Sequence, residues 1–393
     1  MNSLEGIPEE LKSRMDIIPI DPYSLDQKGL VQTRFIIPKA HETAGLKPGA
    51  VHMGVNELRE LNTRYHQEGG VRESSKSILK LVEAAGLVID SQREPSAFRV
   101  TSGFMHNVLG APPIGAIEPI TKRELPLGEA WGVEVGENSV GDAVASNQVT
   151  FEYVRPGIMV PSHETTGLQR KDTRETSWTA ANAIEFLWDD IYHFFHPEYD
   201  RFDSGQREVS WQEREDFVHV RRNHHKPPWT DTGGPSGGVV DFITEAFLWQ
   251  YRLIRSDMVL TGAIQKNSGL IDRIGGVLQK LRIMRVYGAR HGVFPRGNYL
   301  DVIDALHDAI YDAQLARRTP LKILPENYLE IPWDEADRLD LVSESSPDRP
   351  VFTVHFARNL IDLLPLVALP LPKGQVPGPR PFVPREWKDV KNS

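Results

Sequence analysis

The sequence predicts an α+β fold with a predominantly helical centre, a β-rich insertion and long extended terminal arms. Three observations lead to this prediction. A glycine-rich turn at 233–238 runs into an apolar segment at 239–254, which as a helix would be buried on nearly every side. Segments at 131–135 and 149–154 alternate with period two, as strands do. Both chain ends are rich in prolines and turn-forming residues, so they need another surface to lie on.

The composition is that of a folded protein. The chain has 393 residues, of which 40% are hydrophobic and 25% charged. A net charge of -9 argues against a surface uniformly built for nucleic acid, although it leaves room for a local basic groove. The absence of cysteine excludes disulfides, cysteine-ligated zinc, iron–sulfur clusters and thiol nucleophiles.

The N-terminal sequence has neither a basic segment nor an apolar run, and no apolar stretch reaches about 18 uncharged residues. We therefore expect no signal peptide, no transmembrane helix and no membrane partner. The predicted location is cytoplasmic or within a virion.

The chain divides into five predicted segments. They are an extended N-terminal arm (1–50), a winged-helix-like module (51–102), a β-rich segment (103–175), a helical core (176–318) and an extended proline-rich C-terminal arm (319–393).

The segment 51–102 resembles a winged helix-turn-helix. One helix opens at Val55, a second begins near Ser74 and is stopped by Gly86, and a hairpin follows at 87–89 and 98–100. The resemblance implies that basic side chains on the second helix and the wing meet phosphates. These side chains are Arg72, Lys76, Lys80, Arg93 and Arg99. Winged helices serve equally as protein–protein modules, so both interpretations stay open.

An amphipathic helix is predicted at 176–197. On one face it carries Glu185, Asp189, His193 and His196, at steps of four, four and three. Metal sites in helical bundles are built from such spacing, but they also need ligands from a facing helix, and no second copy is evident. The alternative is a solvated face whose carboxylates and histidines follow the helix dipole. We therefore expect no metal and no cofactor.

A short repeat links Pro38–Leu46 with Pro161–Leu168. It would place the pairs His41–Glu42 and His163–Glu164 in two equivalent turns, which together could bind a metal. A chance match of this length is the alternative.

The glycine-rich turn fits the pattern G-x-S-x-G at Gly234–Gly238, with Ser236 as the candidate nucleophile of a hydrolase. A nucleophile elbow also requires a strand directly before it, and 226–232 does not resemble one. The alternative is a flexible turn that leads into a buried helix.

The residues from 272 to 296 are the sharpest basic patch of the chain. The predicted phosphate-binding residues are Arg273, Lys280, Arg282, Arg285, Arg290 and Arg296, together with Arg221 and Arg222 from a preceding basic run. A solvated face or a subunit contact explains the same pattern.

These features favour a self-assembling structural protein, such as a viral capsid or nucleocapsid-like subunit. Its partners would be copies of itself and nucleic acid, since long terminal arms gain stability by lying on neighbouring subunits. Two alternatives remain: a nucleic-acid-binding regulator that uses residues 51–102, and a hydrolase with Ser236 as nucleophile.

Overall fold

The structure is a computed structural model. It describes residues 8–12, 14–16, 22–66, 68–91, 97–113, 120–135, 143–153, 163–166, 171–197, 218–225, 234–266, 268–315, 320–324 and 337–369. The chain forms two compact units. Unit 1 comprises residues 1–117, 136–142 and 310–320, and unit 2 comprises residues 118–135, 143–309 and 321–393.

Helices and strands are interspersed along the chain. The α-helices are α1 (Glu9–Lys12), α2 (Leu25–Val31), α3 (Ile37–Thr43), α4 (Val55–Glu60), α5 (Arg72–Asp90), α6 (Ser102–Leu109), α7 (Lys171–Phe186), α8 (Trp188–Phe195), α9 (Gly238–Trp249), α10 (Val277–Val286), α11 (Tyr299–Leu315) and α12 (Leu364–Val367). Short π-helices occupy Gln32–Ile36 and Leu61–Tyr65, and 3-10 turns occupy Ile120–Lys122, Pro235–Gly237, Arg296–Asn298 and Ile361–Leu363. Among the described residues, no helix is both long and apolar enough to cross a membrane.

The strands are β1 (Val51–His52), β2 (Phe98–Arg99), β3 (Glu129–Glu134), β4 (Ala143–Tyr153), β5 (His163–Thr166), β6 (Val218–His225), β7 (Met258–Leu260), β8 (Ala263–Ile264), β9 (Ile271–Asp272), β10 (His291–Pro295), β11 (Leu321–Leu324), β12 (Arg338–Ser343) and β13 (Ser346–Ala357).

Unit 2 is built on a sheet with the strand order β11-β12-β13-β10-β7-β3-β4-β6-β5. The four central strands, from β13 to β3, pair in parallel. Antiparallel pairs extend the sheet on both sides. The core of the unit includes α9, β7 and α12, and all twelve residues of α9 are buried. This confirms the prediction of a helix buried on every side.

Unit 1 has its own core around α5. The predicted extended arm at 1–50 is wrong for residues 25–43, which form α2, a π-helix and α3. Ser24 and Gln27 start α2 with a reciprocal capping box, and Ala40 of α3 is buried in the core. Packing against α5 therefore supplies the stability that short isolated helices lack.

The hairpin of the winged-helix-like module is also wrong. Residues 87–89 continue α5 to Asp90, and Phe98–Arg99 pairs in parallel with Val51–His52 instead of folding back on 87–89. Gly86 does not stop the helix. Its lack of a side chain instead makes room for Leu46, since a Cβ atom on Gly86 would lie 3.2 Å from Leu46 Cδ1.

The predicted C-terminal arm is wrong for residues 321–324 and 338–357, which supply β11, β12 and β13 of the large sheet. Phe352, Thr353, Val354, Phe356 and Ala357 of β13 are buried, and Thr353–Ala357 pairs with β10. Residues 370–393, with the remaining prolines, lie outside the described residues.

Candidate functional site

Ser236 lies on a tight turn directly before the buried helix α9. Gly234 adopts φ +113°, which is open to glycine and strained for other residues, and Pro235–Gly237 forms a single 3-10 turn. Ser236 is partly exposed, whereas α9 begins at the buried Gly238. A partly exposed serine thus lies directly before a buried helix.

The turn is fixed by the segment that follows β7. The Gly262 N–H donates to the Ser236 carbonyl at 2.8 Å, and the Thr261 hydroxyl donates to the same oxygen at 3.3 Å. In return, the Val239 N–H donates to the Gly262 carbonyl at 3.1 Å. A Cβ atom on Gly262 would lie 2.7 Å from Val239 Cγ2, so the close approach requires glycine.

Polar contacts inside unit 2 hold α9 in place. Its Asp241 carboxylate accepts a 2.7 Å hydrogen bond from the Ser177 hydroxyl of α7, and both residues are buried. The Trp249 indole N–H donates to Glu245 at 3.3 Å. Because buried carboxylates without partners would be costly, these bonds let α9 lie wholly in the core.

Lys280 lies on α10, in the same unit. The helix starts after Gly276, which is left-handed at φ +67°, and the Lys280 N–H donates to the Gly276 carbonyl at 2.9 Å. The Lys280 side chain is only 4% exposed, and burial lowers its pKa to about 8. Within the described ranges, no carboxylate forms an ion pair with it. A lysine in this state is neutral far more often at neutral pH than an exposed one.

The turn that carries Ser236 and the helix that carries Lys280 both pack against β3. A serine and a lysine with a lowered pKa are the two groups that a serine–lysine hydrolase needs.

The predicted basic strip does not form one exposed surface. Lys280 and Arg296 are buried, at 4% and 3% exposed, so neither is available to phosphates as predicted. Arg273 is exposed but pairs with Asp301 at 2.9 Å. Arg290 is exposed, and Arg282 and Arg285 are partly buried. Arg221 and Arg222 lie on β6. Nucleic-acid binding by the exposed arginines stays a prediction.

The alternative metal set is not brought together. The helix predicted at 176–197 breaks at Leu187, so Glu185 lies on α7, whereas Asp189 and His193 lie on α8. His196 is buried, and its Nε2 atom lies 3.1 Å from Gln250 Oε1. In the part of the chain that the structure describes, no cluster of three or more His, Asp or Glu side chains could hold a metal.

The two His-Glu pairs do not form equivalent turns. His41 and Glu42 lie in α3, whereas His163 and Glu164 lie in β5. The His41 Nδ1 atom lies 2.8 Å from the Ile37 carbonyl, and Nε2 accepts from the Val51 N–H at 3.0 Å. Both ring nitrogens are therefore engaged, and His41 links α3 to β1.

The prediction that Lys280 is a phosphate-binding residue is wrong, because its side chain is buried. Val277, Lys280, Leu281 and Met284 are buried at the spacing i, i+3, i+4 and i+7, which is the inner stripe of a helix. The signal was therefore present: a lysine that occupies an apolar position of this stripe is expected to be buried.

The comparisons with known proteins point in one direction. No protein-family model matches the chain. A Lon protease of Syntrophus aciditrophicus (strain SB) is 23% identical over 305 residues, which are 77% of this chain and 34% of the relative. A mitochondrial Lon protease homolog of Phaeodactylum tricornutum is 24% identical over 320 residues, 76% of this chain and 34% of the relative. A Lon protease of Salinispora arenicola is 27% identical over 305 residues, 77% of this chain and 35% of the relative.

This chain spans about a third of the length of these relatives. The relatives point to a protease, and the prediction of a structural protein, a viral capsid or nucleocapsid-like subunit in a virion, is therefore wrong.

Proposed function

We propose that the chain is a serine–lysine peptidase unit, with Ser236 as nucleophile and Lys280 as general base. The observation that carries this proposal is the burial of Lys280, which lowers its pKa to about 8. The names of the relatives support the same reaction class.

The lowered pKa matters because only a neutral amine accepts a proton. At pH 7, about a tenth of a lysine population with a pKa of 8 is neutral, against less than about one in a thousand for an ordinary lysine. An apolar site thus produces a base that works near neutral pH, as other catalytic lysines do.

In the first step, Lys280 Nζ takes the proton of the Ser236 hydroxyl, and Ser236 Oγ bonds to the carbonyl carbon of the peptide. The negative charge that develops on the carbonyl oxygen is favoured near the N-terminus of α9, where the helix dipole is positive. The C–N bond then breaks, and Nζ passes its proton to the leaving nitrogen.

In the second step, water attacks the acyl ester. Lys280 Nζ takes a proton from the water, the ester bond to Oγ breaks, and Oγ regains a proton. The products are a free carboxyl group and a free amine, and Ser236 and Lys280 return to their starting states.

The test compares S236A and K280M with the wild type and with S268A. Ser268 is a serine of the same unit that hydrogen-bonds Gln265, and it serves as the matched control. We expect the wild type and S268A to cleave an unfolded protein substrate and to be labelled at Ser236 by a fluorophosphonate, as detected by mass spectrometry. S236A and K280M should lose about hundredfold or more of this activity. A wild-type rate equal to that of S236A would refute the proposal.

Self-association is a separate proposal about partners. Trp178 and Phe186 of α7 are more than half exposed, and apolar side chains of this size are common at contacts between chains. Light scattering on the full chain tests it, and a monomer at all concentrations would argue against copies of the chain as partners.

A further inference from the structure

Asn298 is fully buried at the end of the 3-10 turn that links β10 to α11. A buried side-chain amide carries two N–H donors and a carbonyl acceptor, each of which needs a partner. The partners of Asn298 identify what this residue holds.

Most of these partners are backbone groups of Ile274, which precedes α10. The Ile274 N–H donates to Asn298 Oδ1 at 3.0 Å, and Asn298 Nδ2 donates to the Ile274 carbonyl at 2.9 Å. Asn298 Nδ2 also donates to Asp301 Oδ2 at 2.7 Å. Both backbone polar groups of Ile274 are therefore bound by a single side chain, as they would be by a neighbouring strand.

Ile274 stands just before the start of α10. Gly275 and the left-handed Gly276 follow it, and the Gly276 carbonyl accepts the Lys280 N–H. A Cβ atom on Gly275 would meet no atom within 4 Å, so side-chain packing does not fix this glycine. The hydrogen bonds to Ile274 thus fix the position at which α10, the helix that carries Lys280, begins.

A second layer supports Asn298 from the solvent side. Asp301 also accepts from Arg273, at 3.1 and 2.9 Å. The stem of Arg273 lies against Gly297, where a Cβ atom would come 2.5 Å from Arg273 Cγ. The loop 273–276 is therefore tied to the start of α11 at two points.

We propose that Asn298 is a positioning residue for the general base: by holding Ile274, it keeps Lys280 of α10 in its buried site. This inference rests on the proposed function. Lys280 needs a water-poor surrounding to be neutral, and a small outward shift of the helix start would hydrate the ammonium group. Loss of the Asn298 bonds should therefore raise the pKa of Lys280 and slow the reaction at neutral pH, beyond any loss of stability.

The test measures Lys280 directly. The full chain is labelled with acetic anhydride at a series of pH values, and the labelling rate of Lys280 is followed by mass spectrometry, which gives the midpoint of its titration without using enzyme activity. The variants are N298A, the nearly isosteric N298D and D301N. N298D keeps an acceptor for the Ile274 N–H but loses the donor to its carbonyl. D301N alters only the outer, partly exposed partner.

The matched control is T353V, which removes the 2.7 Å hydrogen bond from Thr353 to Asp340 elsewhere in unit 2. Thr353 is opposite His291, at the start of β10, whereas Asn298 follows the end of that strand. T353V therefore reports what a lost hydrogen bond alone does.

We expect the Lys280 midpoint to rise by about one pH unit or more in N298A and N298D, and by less in D301N, with T353V unchanged. Peptidase rates at pH 7 should fall about tenfold through kcat, with little change in KM, and recover at higher pH. Should N298A fail to fold, N298D and D301N decide.

Equal midpoints in the wild type and all Asn298 variants that fold would overturn the inference. A raised midpoint in a chain whose wild type has no peptidase activity would instead refute the proposed function and leave the positioning of Lys280 intact.

Discussion

Two lysines are each 4% exposed, and they differ in what their ammonium groups meet. Lys28 of α2, in unit 1, donates to the Glu68 carbonyl. Lys280 of α10, in unit 2, is buried without an ion-pair partner among the described residues, and its pKa is lowered to about 8. Burial alone therefore does not separate a structural lysine from a candidate base, whereas the hydrogen bond of Lys28 and the lowered pKa of Lys280 distinguish the two.

The surroundings of Lys28 are those of a structural residue. Glu68 accepts from Lys28 through its backbone, and its carboxylate accepts from the Glu73 and Ser74 N–H groups at 3.0 and 2.8 Å, at the start of α5. Burial raises the pKa of Glu68, but the hydrogen bonds from Ser74 and Glu73 and the charge of Lys28 outweigh burial and hold the pKa below its ordinary value. Lys28 thus belongs to a closed network that joins α2 to the segment before α5.

The largest expected effect is the loss of activity in K280M. Methionine keeps an unbranched apolar side chain in the buried site but cannot accept a proton, so peptidase activity should fall about hundredfold or more. K28M should retain activity within a few-fold in the same assay. A large loss in K28M, or none in K280M, would erase the distinction between the two lysines.

Stability should respond to pH through Lys280. Its folded-state pKa of about 8 lies below the value of 10.5 in the unfolded chain, so the unfolded state holds this proton more tightly. The free energy of unfolding should therefore rise as pH increases from about 8 to about 10.5, by on the order of 1–3 kcal/mol.

In K280M this rise should be absent, and at pH 7 the variant should be more stable than the wild type by a similar amount. Urea denaturation of both proteins from pH 6.5 to 10.5 measures the difference between their free energies of unfolding. The contributions of other titrating groups cancel in this difference, because both proteins contain them. A wild type that gains nothing relative to K280M over this range would contradict the lowered pKa.

K28M should destabilise unit 1. It leaves the Glu68 carbonyl without the donor that it has in the fold, at a cost of about 1–3 kcal/mol. Hydrogen exchange of the α5 amides reports this locally, with the amides of α9 as the internal reference. Unchanged protection of α5 would show that Lys28 contributes little.

The smallest effects concern the residues that start the two helices. S24A removes the cap of α2, where Ser24 Oγ accepts from the Gln27 N–H at 3.1 Å, and should cost about 1 kcal/mol. G276A places a Cβ in the left-handed region without a close contact and should cost about 1–2 kcal/mol. Only G276A should also slow peptide cleavage, which a kinetic assay at matched folded fractions would check.

Local patterns predicted part of this molecule. The period-two segments at 131–135 and 149–154 overlap β3 and β4, and the apolar run after Gly238 is the buried helix α9. These signals survive because each needs only its own residues and one buried face. The predicted C-terminal arm was wrong at β13 for the opposite reason, since β13 pairs with β10 across a long stretch of chain, and such pairing cannot be inferred from a local pattern.

The sequence predicted a catalytic role for only one of the two residues of the candidate site, Ser236. The pattern around Ser236 is local, so it predicted the turn and the following helix, whereas the strand that a nucleophile elbow requires would fall on 226–232, outside the described residues. Lys280 looked like one of several cations in a basic patch. What distinguishes it from exposed Arg290 is its position on the buried stripe of α10, between Val277 and Leu281.

The hydrogen bonds that order the site also have a consequence for biosynthesis. The Ser236 carbonyl is held by Thr261, 25 residues later, and Ile274 is held by Asn298, 24 residues later. A growing chain that ends just before residue 298 therefore contains the turn of Ser236 but lacks Asn298, the side chain that holds the start of α10. Synthesis from the N-terminus makes Ser236 before Asn298, which positions Lys280. Under the proposed function, a nascent chain would therefore have no peptidase activity until most of unit 2 has been made.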